Sequence, residues 1–340
     1  MVTIVVAVAV AIELMTCCFA MKMKNNNDDL VLYFFDQSWM AISAEIPPRC
    51  QTWRCVPTAR LCDANMTFIS INQKTTDMHC VDDNMRRRVI PKALIEYEPR
   101  LHYDAPPNAN YEWLFSSSMQ SNIRQFHYDF ADFYERVRRL EIPSEADFES
   151  RRPIAWCISD CRRTFYRTKL MEQLISLMPT ETIYRLGTCL NDPKMAKPVP
   201  GTRFELPQVY SQYKIVLAFE NSEGPGLIED YVSEKLFLAF LGNALPVYIG
   251  STEAKKLAPS PDSFVFASNM HNDAQSLATL LRSLLSNYTL YRQYFTYRTQ
   301  PLSAERAFFE KIQTDEQRNR FCHVCEYVAN DLMTRNRKKT

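Results

Sequence analysis

Short apolar runs and helical segments take turns along the second half of the chain. The apolar runs are typical of buried strands, and the segments between them carry apolar residues at the three- to four-residue spacing of a helix. In residues 164–178, for example, Phe165, Leu170, Leu174 and Leu177 fall near one helical face. The pattern predicts strands at 153–159, 183–187, 213–221, 244–250 and 263–268, and helices at 164–178, 233–243, 273–285 and 288–298.

Strands that alternate with helices predict an α/β fold, in which a parallel sheet is covered by helices on both faces. The first half of the chain is less regular. Apolar runs at 29–35, 65–71 and 89–99 favour strands. The length of the chain suggests two domains, which we place at residues 25–145 and 146–335.

The first 24 residues form a separate segment. Residues 1–21 are almost all apolar, although Glu13 interrupts them, and Lys22 and Lys24 follow. A run of this length nearly spans a bilayer, which favours a signal-anchor in the membrane. A signal peptide cleaved near Cys18-Phe19-Ala20 and an ordinary buried segment are the alternatives. Either of the first two would send the rest of the chain into the secretory lumen.

The cysteine content agrees with a lumenal chain. Eleven cysteines are present, and an oxidising compartment tends to join such residues when they are closely spaced. The short-spaced disulfide candidates are Cys50, Cys55, Cys322 and Cys325. Zinc is the alternative for the last two, although a lone CxxC is a weak zinc motif. Glycosylation sequons begin at Asn65 and Asn287 and support the lumen mildly.

Several common function classes lack support in the sequence. The net charge of +1 provides no global field that would attract nucleic acid. No GxGxxG, GxxxxGK[ST], HExxH or GxSxG motif is present. The usual dinucleotide, P-loop, zinc-protease and hydrolase sites are therefore not indicated.

Residues 213–251 place charged groups where a helix is predicted to begin. The strand that ends at Asn221 leads into an acidic loop, and the next helix begins near Ser233, with Glu234 and Lys235 in its first turn. Ligands of parallel sheets bind at the carboxyl ends of the strands, and the first N–H groups of a helix favour an anion. A first-turn lysine opposes the helix dipole, which makes sense if the lysine faces a phosphate. A surface ion pair without a role is the alternative.

This segment resembles the signature of the α1,3-fucosyltransferases of glycosyltransferase family 10. The matching letters are FENS at 219–222, DYVSEK at 230–235 and PVYIG at 246–250. The final CxxC at 322–325 resembles the end of the divergent fucosyltransferase 10- and 11-like subgroup.

A second block, residues 154–174, resembles the family's strand, turn and helix. In the family, an Arg on this helix stands seven residues before a Leu, and Arg167 and Leu174 match that spacing. Asp160 occupies the position of the family's Asn, which is a departure from the pattern. Together the similar blocks cover roughly residues 90–330.

The resemblance implies a GT-B architecture, with two Rossmann-like domains and a cleft between them. It also implies an inverting transfer of L-fucose from GDP-fucose, with no catalytic metal and no cofactor. By the same resemblance, Arg167 contacts the diphosphate, Glu234 and Lys235 contact the fucose and the diphosphate region, and Asn221 and Tyr231 line the donor pocket. Cations held around the departing GDP would stabilise its growing negative charge in the transition state.

Inversion also needs a general base that takes the proton of the acceptor hydroxyl. In the family this base is a Glu near a strand end, followed by Ser-Pro. Glu98, directly before Pro99, fits best if one residue is deleted, and Glu96 is the alternative. Because Glu96 and Glu98 are two residues apart, their side chains would point to the same face of a strand.

The expected acceptor is a GlcNAc of a glycan, through an α1,3 link, or a Ser or Thr hydroxyl of a lumenal protein. A catalytically inactive GDP-fucose-binding or chaperone-like module is the alternative function. With a signal-anchor, the protein would be a single-pass type II protein of the Golgi membrane with a lumenal catalytic domain. The endoplasmic reticulum, as lumen or membrane, is the other compartment that the sequence allows.

Overall fold

The computed structural model describes most of the second half of the chain and the strands of the first half. It covers residues 133–159, 161, 165–190, 205–221, 231–301 and 320–337, except for the side chains of Phe165 and of some positions in the last helix. In the first half it describes the backbone of the strands and the side chain of Trp113. The predicted N-terminal segment, residues 1–24, lies outside the described residues.

Parallel strands form a first sheet in the N-terminal half. Its strands are β1 (Asp29–Phe34), β2 (Arg54–Pro57), β3 (Met66–Ser70), β6 (Lys92–Glu96), β7 (Trp113–Ser116) and β8 (Ile123–Arg124). They follow the order β2-β1-β3-β6-β7-β8, and every neighbouring pair is parallel. A separate antiparallel pair joins β4 (His79–Val81) and β5 (Arg87–Val89). The predicted strands in this half are confirmed as β1, β3 and β6.

A second parallel sheet forms the C-terminal half. Its strands are β9 (Arg152–Trp156), β10 (Ile183–Arg185), β11 (Tyr213–Phe219), β12 (Leu245–Ile249) and β13 (Val265–Phe266). The order β10-β9-β11-β12-β13 places β11 at the centre. The helices are α1 (Phe133–Arg139), α2 (Glu145–Ser150), α3 (Phe165–Leu177), α4 (Leu206–Tyr210), α5 (Glu234–Leu241), α6 (Ala254–Leu257), α7 (Ala274–Ser286), α8 (Tyr288–Gln293) and α9 (Arg320–Arg337).

The central strand β11 is apolar on both faces because helices cover both. Successive side chains of a strand point to opposite faces. Ile215, Leu217 and Phe219 pack in a core cluster with α3 and α7. Val216 and Ala218 pack on the other face, in clusters that include α5. The predicted parallel sheet with two covered faces is therefore confirmed, and α3 and α5 lie on opposite sides of β11.

Two predicted elements are shorter than expected. The segment 263–268 contributes only Val265 and Phe266 to the sheet. The helix predicted at 288–298 ends at Gln293 and is followed by a 3-10 turn, Thr296–Thr299. The N–H of Phe295 donates to the carbonyl of Arg292 at 3.0 Å, a three-residue bond that tightens the chain as a 3-10 helix does.

The last helix, α9, contacts the first sheet. Trp113, in β7, donates its indole N–H to Asp331 Oδ2 at 2.8 Å. The guanidinium of Arg335 lies 5.1 Å from the centre of the same indole ring and forms an ion pair with Asp331 at 2.8 Å. The chain thus returns from the second sheet to the first. None of the helices in the described parts of the chain combines the length and the hydropathy that a bilayer-crossing helix requires.

Candidate active site

The carboxyl end of β11 sends two consecutive polar residues toward two different helices. The N–H of Glu220 donates to the carbonyl of Ile249 at 2.9 Å, so strand pairing continues past Phe219. Because side chains alternate along a strand, Glu220 follows Ala218 toward the face covered by α5. Asn221 follows Phe219 toward the face covered by α3. Each helix carries a cation in its first turn, and the two polar residues bind those cations.

Arg167 is the cation of α3. It lies on the buried face of the helix, one and two turns before the core residues Leu170 and Leu174, and only 7% of its surface is exposed. Its Nη1 donates to the carbonyl of Phe219 at 3.2 Å and to Oδ1 of Asn221. The guanidinium is therefore fixed over the end of β11 by two neutral acceptors.

Lys235 is the cation of α5. Ser233 is the N-cap residue of this helix, and its hydroxyl accepts a hydrogen bond from the backbone N–H of Lys235, as N-cap serines commonly do. The Lys235 ammonium donates to Oγ of Ser233 at 2.8 Å and lies 3.3 Å from Oε2 of Glu220. The lysine predicted to face a phosphate is thus held by a carboxylate next to the predicted site.

Glu220 is a buried centre that joins three elements. Its side chain has no exposed surface, and its Oε1 accepts from the backbone N–H of Ser233 at 2.7 Å while Oε2 accepts from the Ser233 hydroxyl at 2.6 Å. The hydroxyl of Tyr248, in β12, donates to Oε1 at 3.3 Å. Burial and the neighbouring Glu220 carboxylate raise the pKa of Tyr248 well above its ordinary value.

Gly250 leaves the room that this carboxylate needs. A Cβ at Gly250 would lie 2.3 Å from the Tyr248 hydroxyl and 2.7 Å from Cγ of Glu220, which is closer than such atoms approach one another. The backbone of Gly250 is held by Ser268, whose Oγ accepts from its N–H at 2.9 Å and donates to its carbonyl at 2.7 Å. The glycine of the predicted PVYIG motif therefore serves a close approach.

Glu234 and Tyr231 have surroundings different from those of Lys235. Burial raises the pKa of the Tyr210 hydroxyl well above its ordinary value, and the charges of Cys157 and then Glu234 add to the effect. Glu234 therefore lies within electrostatic range of Tyr210, at the end of α4. Tyr231 is 1% exposed, and its carbonyl accepts from the Tyr248 hydroxyl at 3.5 Å. Tyr231 is thus buried beside Tyr248, and its place in a donor pocket stays a prediction.

A disulfide links Cys161, which precedes α3 in the chain, to the segment after β10. Cys161 is joined to Cys189, which follows β10. The hydroxyl of Thr168, next to Arg167, donates to the carbonyl of Cys161 at 3.1 Å. On the other side of the bridge, a Cβ at Gly187 would lie 1.9 Å from the carbonyl oxygen of Ile158. The start of the arginine helix is thus covalently linked to the loop after the edge strand.

The structure brings some predicted site residues together and leaves others untested. Arg167, Asn221 and Lys235 converge at the end of β11. The carbonyl of Tyr231 contacts the Tyr248 hydroxyl, which in turn contacts Glu220. The backbone of Glu96 is the last position of β6 and pairs with Ser116, but its side chain is not described. Glu98, Asp160, Asn65 and the side chains of Cys50, Cys55, Cys322 and Cys325 lie outside the described residues.

Sequence reasoning missed the contribution of Glu220, Tyr248 and the Cys161–Cys189 bridge. Strand alternation could have found the first, because it sends Glu220 to the face of α5. The spacing of the cysteines contains no comparable signal. Asn287, the second sequon residue, is exposed and caps α8, with its Oδ1 accepting from the N–H of Leu290 at 2.9 Å.

The arrangement is suited to holding a compact, doubly charged anion. Two cations come from helices on opposite faces of the sheet and reach consecutive residues at the end of one strand. A guanidinium presents donors in a planar fork that matches phosphate oxygens, whereas an ammonium acts as a point charge. Parallel sheets bind ligands at this edge. A diphosphate is an anion of the charge and shape that such a pair can hold.

Comparisons of the sequence with known proteins agree on one family. Residues 149–339 match the C-terminal domain of glycosyltransferase family 10 (fucosyltransferase). The chain is 24% identical over 264 residues to the GDP-fucose protein O-fucosyltransferase 3 of Xenopus tropicalis, covering 70% of this chain and 54% of that protein. It is 29% identical over 226 residues to the alpha-(1,3)-fucosyltransferase 4 of Mus musculus, covering 64% of this chain and 46% of that protein.

The chain therefore spans about half the length of these curated relatives. A solved structure of an alpha1,3-fucosyltransferase with GDP-fucose has a TM-score of 0.46 and 17% identity, and the match covers 74% of this chain and 78% of that one. The family match extends over more than half of the present sequence and includes Arg167, Asn221, Glu234 and Lys235. The chain belongs to glycosyltransferase family 10, the fucosyltransferase family.

Proposed function

We propose that this protein is an inverting fucosyltransferase of GT-B architecture that transfers L-fucose from GDP-fucose without a catalytic metal. The observation that carries the proposal is the convergence of Arg167 and Lys235 on the consecutive residues Asn221 and Glu220. Membership in the family gives this pair of cations a natural ligand, the diphosphate of GDP-fucose.

The two cations would lower the barrier by acting on the leaving group. When the bond between fucose C1 and the β-phosphate oxygen breaks, its electron pair stays on that oxygen and GDP departs with one more negative charge. Positive groups already fixed around this oxygen stabilise the transition state more than the ground state. Arg167 is fixed by packing and hydrogen bonds, and Lys235 is fixed by Glu220, so little reorganisation is needed. These cations supply the charge that a metal would otherwise provide.

The acceptor hydroxyl attacks C1 from the opposite face of the sugar. Its oxygen forms the new bond to C1, and its proton passes to a carboxylate acting as general base. We assign that role to Glu98, with Glu96 as the alternative. Glu234 would hydrogen-bond fucose hydroxyls and stabilise positive charge at C1.

The acceptor belongs to one of two chemical classes. The name of the Xenopus tropicalis relative points to a protein hydroxyl, and that of the mouse relative points to an α1,3 link to a glycan. The proposal includes both a GlcNAc and a Ser or Thr side chain, and the experiment below distinguishes them.

The lumen of the secretory pathway is the proposed compartment, with residues 1–24 as signal-anchor or signal peptide in the Golgi or the endoplasmic reticulum. The Cys161–Cys189 disulfide supports an oxidising compartment. Exposure of Asn287 at the start of α8 makes its sequon accessible for N-glycosylation. Loss of a glycan-sized mass shift in Asn287→Gln, expressed in a secretory host, would verify that modification.

The proposed function is tested by incubating the full chain with labelled GDP-fucose and a panel of acceptors in excess chelator. The panel contains GlcNAc-terminated glycans and folded cysteine-rich domains. We expect transfer to one of the two classes, abolished in Arg167→Ala and Lys235→Ala. Glu98→Gln is expected to lose transfer while it still binds GDP. Calorimetry with GDP and thermal melts of each variant separate a lost site from a lost fold.

Each departure from this pattern has a distinct meaning. Donor binding without turnover on any acceptor would favour the inactive, chaperone-like module. Activity that requires added manganese would remove the metal-free mechanism. Near-wild-type transfer by either alanine variant would show that the cation does not hold the diphosphate.

A further inference from the structure

Glu220 is a buried carboxylate, and all but one of its described donors belong to the start of α5. Its two oxygens accept from the N–H and the hydroxyl of Ser233, from the Lys235 ammonium and from the Tyr248 hydroxyl. A carboxylate with no exposed surface is costly to bury unless such donors surround it. The donors therefore keep Glu220 in place, and Glu220 in turn fixes the donors.

We infer that Glu220 is the positioning residue for Lys235 in fucosyl transfer. This inference rests on the proposed function and adds to it a residue that does not itself touch the donor. The carboxylate holds the ammonium 3.3 Å away and, through Ser233, holds the first turn of α5 against the end of β11. One side chain thus sets both the helix start and the direction of its cation.

The shape of the surrounding backbone supports a dedicated place for this carboxylate. Gly250 is required next to Cγ of Glu220 because a Cβ there would come within 2.7 Å. Tyr248, in the neighbouring strand, adds a hydroxyl that reaches Oε1. Three elements, β11, β12 and α5, therefore meet at one carboxylate directly beside Asn221, which binds the other cation.

The negative charge of Glu220 orders the Lys235 side chain, whereas a free surface ammonium stays flexible. With Glu220 beside it, Lys235 is oriented before a ligand arrives, and 18% of its side chain remains exposed. A flexible ammonium loses rotamer entropy when it binds a phosphate. An ion pair that has already ordered the lysine removes much of that loss. GDP affinity should therefore depend on Glu220 only when Lys235 is present.

A purely structural role makes a different prediction. In that case Glu220 would hold the start of α5 through Ser233 whether or not the Lys235 ammonium is present. Glu220→Gln would then weaken GDP binding by the same factor with and without Lys235, or would leave it unchanged in both backgrounds. A double-mutant cycle separates the two cases, because a shared mechanism appears as non-additivity.

The test measures GDP binding by calorimetry on the full chain for wild type, Glu220→Gln, Lys235→Met and the double variant. The amide of Gln keeps an acceptor for the Ser233 N–H but loses the charge that holds the ammonium. When Lys235 is present, we expect Glu220→Gln to weaken GDP binding about tenfold, which corresponds to about 1.4 kcal/mol of binding free energy. In the Lys235→Met background the same change should alter affinity less than about twofold, since no ammonium remains to be positioned.

A matched control and a second variant keep the outcome decisive. Glu253, another largely buried carboxylate, pairs with Lys256 at 2.5 Å, and Glu253→Gln should leave GDP affinity unchanged. Glu220→Asp keeps the charge but withdraws it, and should give a smaller loss that again requires Lys235; it replaces Glu220→Gln if that variant does not fold. Equal losses in both backgrounds would overturn the inference alone. Absence of GDP binding by the wild type would overturn the proposed function together with it.

Discussion

Arg167 and Lys235 are placed alike but held differently. Each stands in the first turn of a helix that follows a strand of the same sheet, and each reaches a residue at the carboxyl end of β11. Arg167 is held by a backbone carbonyl and an amide oxygen, both neutral. Lys235 is held by a buried carboxylate and a hydroxyl. The two acceptors of Arg167 add no charge beside it, whereas Glu220 adds a negative charge that offsets the positive charge of Lys235.

Because of this difference, we expect the two cations to contribute to diphosphate binding in different ways. Coulomb attraction between a charged ligand and a neutral ion pair is weak at a distance, because the two charges cancel. The ammonium of Lys235, paired with the Glu220 carboxylate, therefore adds little attraction at long range. Lys235 contributes through the direction of its ammonium at short range. A first-turn cation opposes the helix dipole by about 0.3–1 kcal/mol, and the two sets of partners offset this cost in different ways.

The largest effect is expected from Arg167→Lys. This change keeps the positive charge but removes the planar fork of donors, so the contacts to Asn221, to Phe219 and to two phosphate oxygens cannot all be reproduced. We expect GDP affinity to fall by roughly 10- to 100-fold, the loss of one or two charge-assisted hydrogen bonds. Calorimetry with GDP provides the measurement, and Arg167→Met shows the loss when the charge is removed as well.

The control for this substitution is Arg282→Lys. Arg282 lies on the exposed face of α7 and donates to the carbonyl of Leu177 at 3.1 Å, remote from the end of β11. Its replacement should leave GDP affinity within about twofold of wild type. If Arg167→Lys binds GDP as tightly as the wild type, charge alone suffices and the proposed contrast between the cations is incorrect.

The second effect concerns the Cys161–Cys189 disulfide, which precedes the arginine helix in the chain. Removing a bridge of sequence separation 28 in Cys161→Ser/Cys189→Ser should lower the free energy of unfolding by about 3.6 kcal/mol in the chain-entropy description. GDP affinity should fall severalfold, because the chain before Arg167 loses its covalent link. The loss should disappear in an Arg167→Met background and persist in Lys235→Met. Denaturant melts and calorimetry test both parts.

Cys157→Ser is the matched control, since Cys157 is a free thiol that directly follows β9, four residues before Cys161. It should change GDP affinity less than the loss of the bridge. A loss of affinity that persists in the Arg167→Met background would mean that the disulfide supports the whole sheet rather than one cation.

The elements that carry the two cations were predictable from the sequence alone, whereas the partners of the cations were not, and the difference has physical causes. The period of apolar residues placed α3, α5 and the strands between them, because burial on both faces of β11 leaves a strong pattern. The capping serine and the first-turn lysine were also correctly placed. Tertiary partners were harder, since hydrogen bonds such as Arg167 to Asn221 join residues 54 positions apart. Local spacing does not encode such pairs.

The lysine illustrates why the prediction was incomplete. Sequence reasoning assigned Lys235 to a phosphate because it opposes the helix dipole. It did not consider that the preceding strand carries a carboxylate on the same face. Alternation past Phe219 sends Glu220 to α5, and the glycine at 250 provides its space. Both facts were present in the sequence, but only the fold brings them to one point.

The smallest expected effect is that of Tyr248→Phe, which removes one donor to Glu220 and leaves three. Loss of one hydrogen bond should lower the free energy of unfolding by about 1 kcal/mol at neutral pH and change GDP affinity less than about twofold.

The pKa of Tyr248 is raised in the folded state by burial and by Glu220, so the folded protein retains a proton that the unfolded chain releases above about pH 10. The stability from this tyrosine is therefore complete below that pH and declines as the pH rises further. Denaturant melts from pH 8 to 11.5 should show the wild-type advantage over Tyr248→Phe shrinking above pH 10, and Tyr166→Phe, at an exposed position of α3, is measured alongside as the control. An advantage that stays constant across this range would mean that Tyr248 does not share its environment with the Glu220 carboxylate, and Glu220 would then be held by fewer contacts than the structure shows.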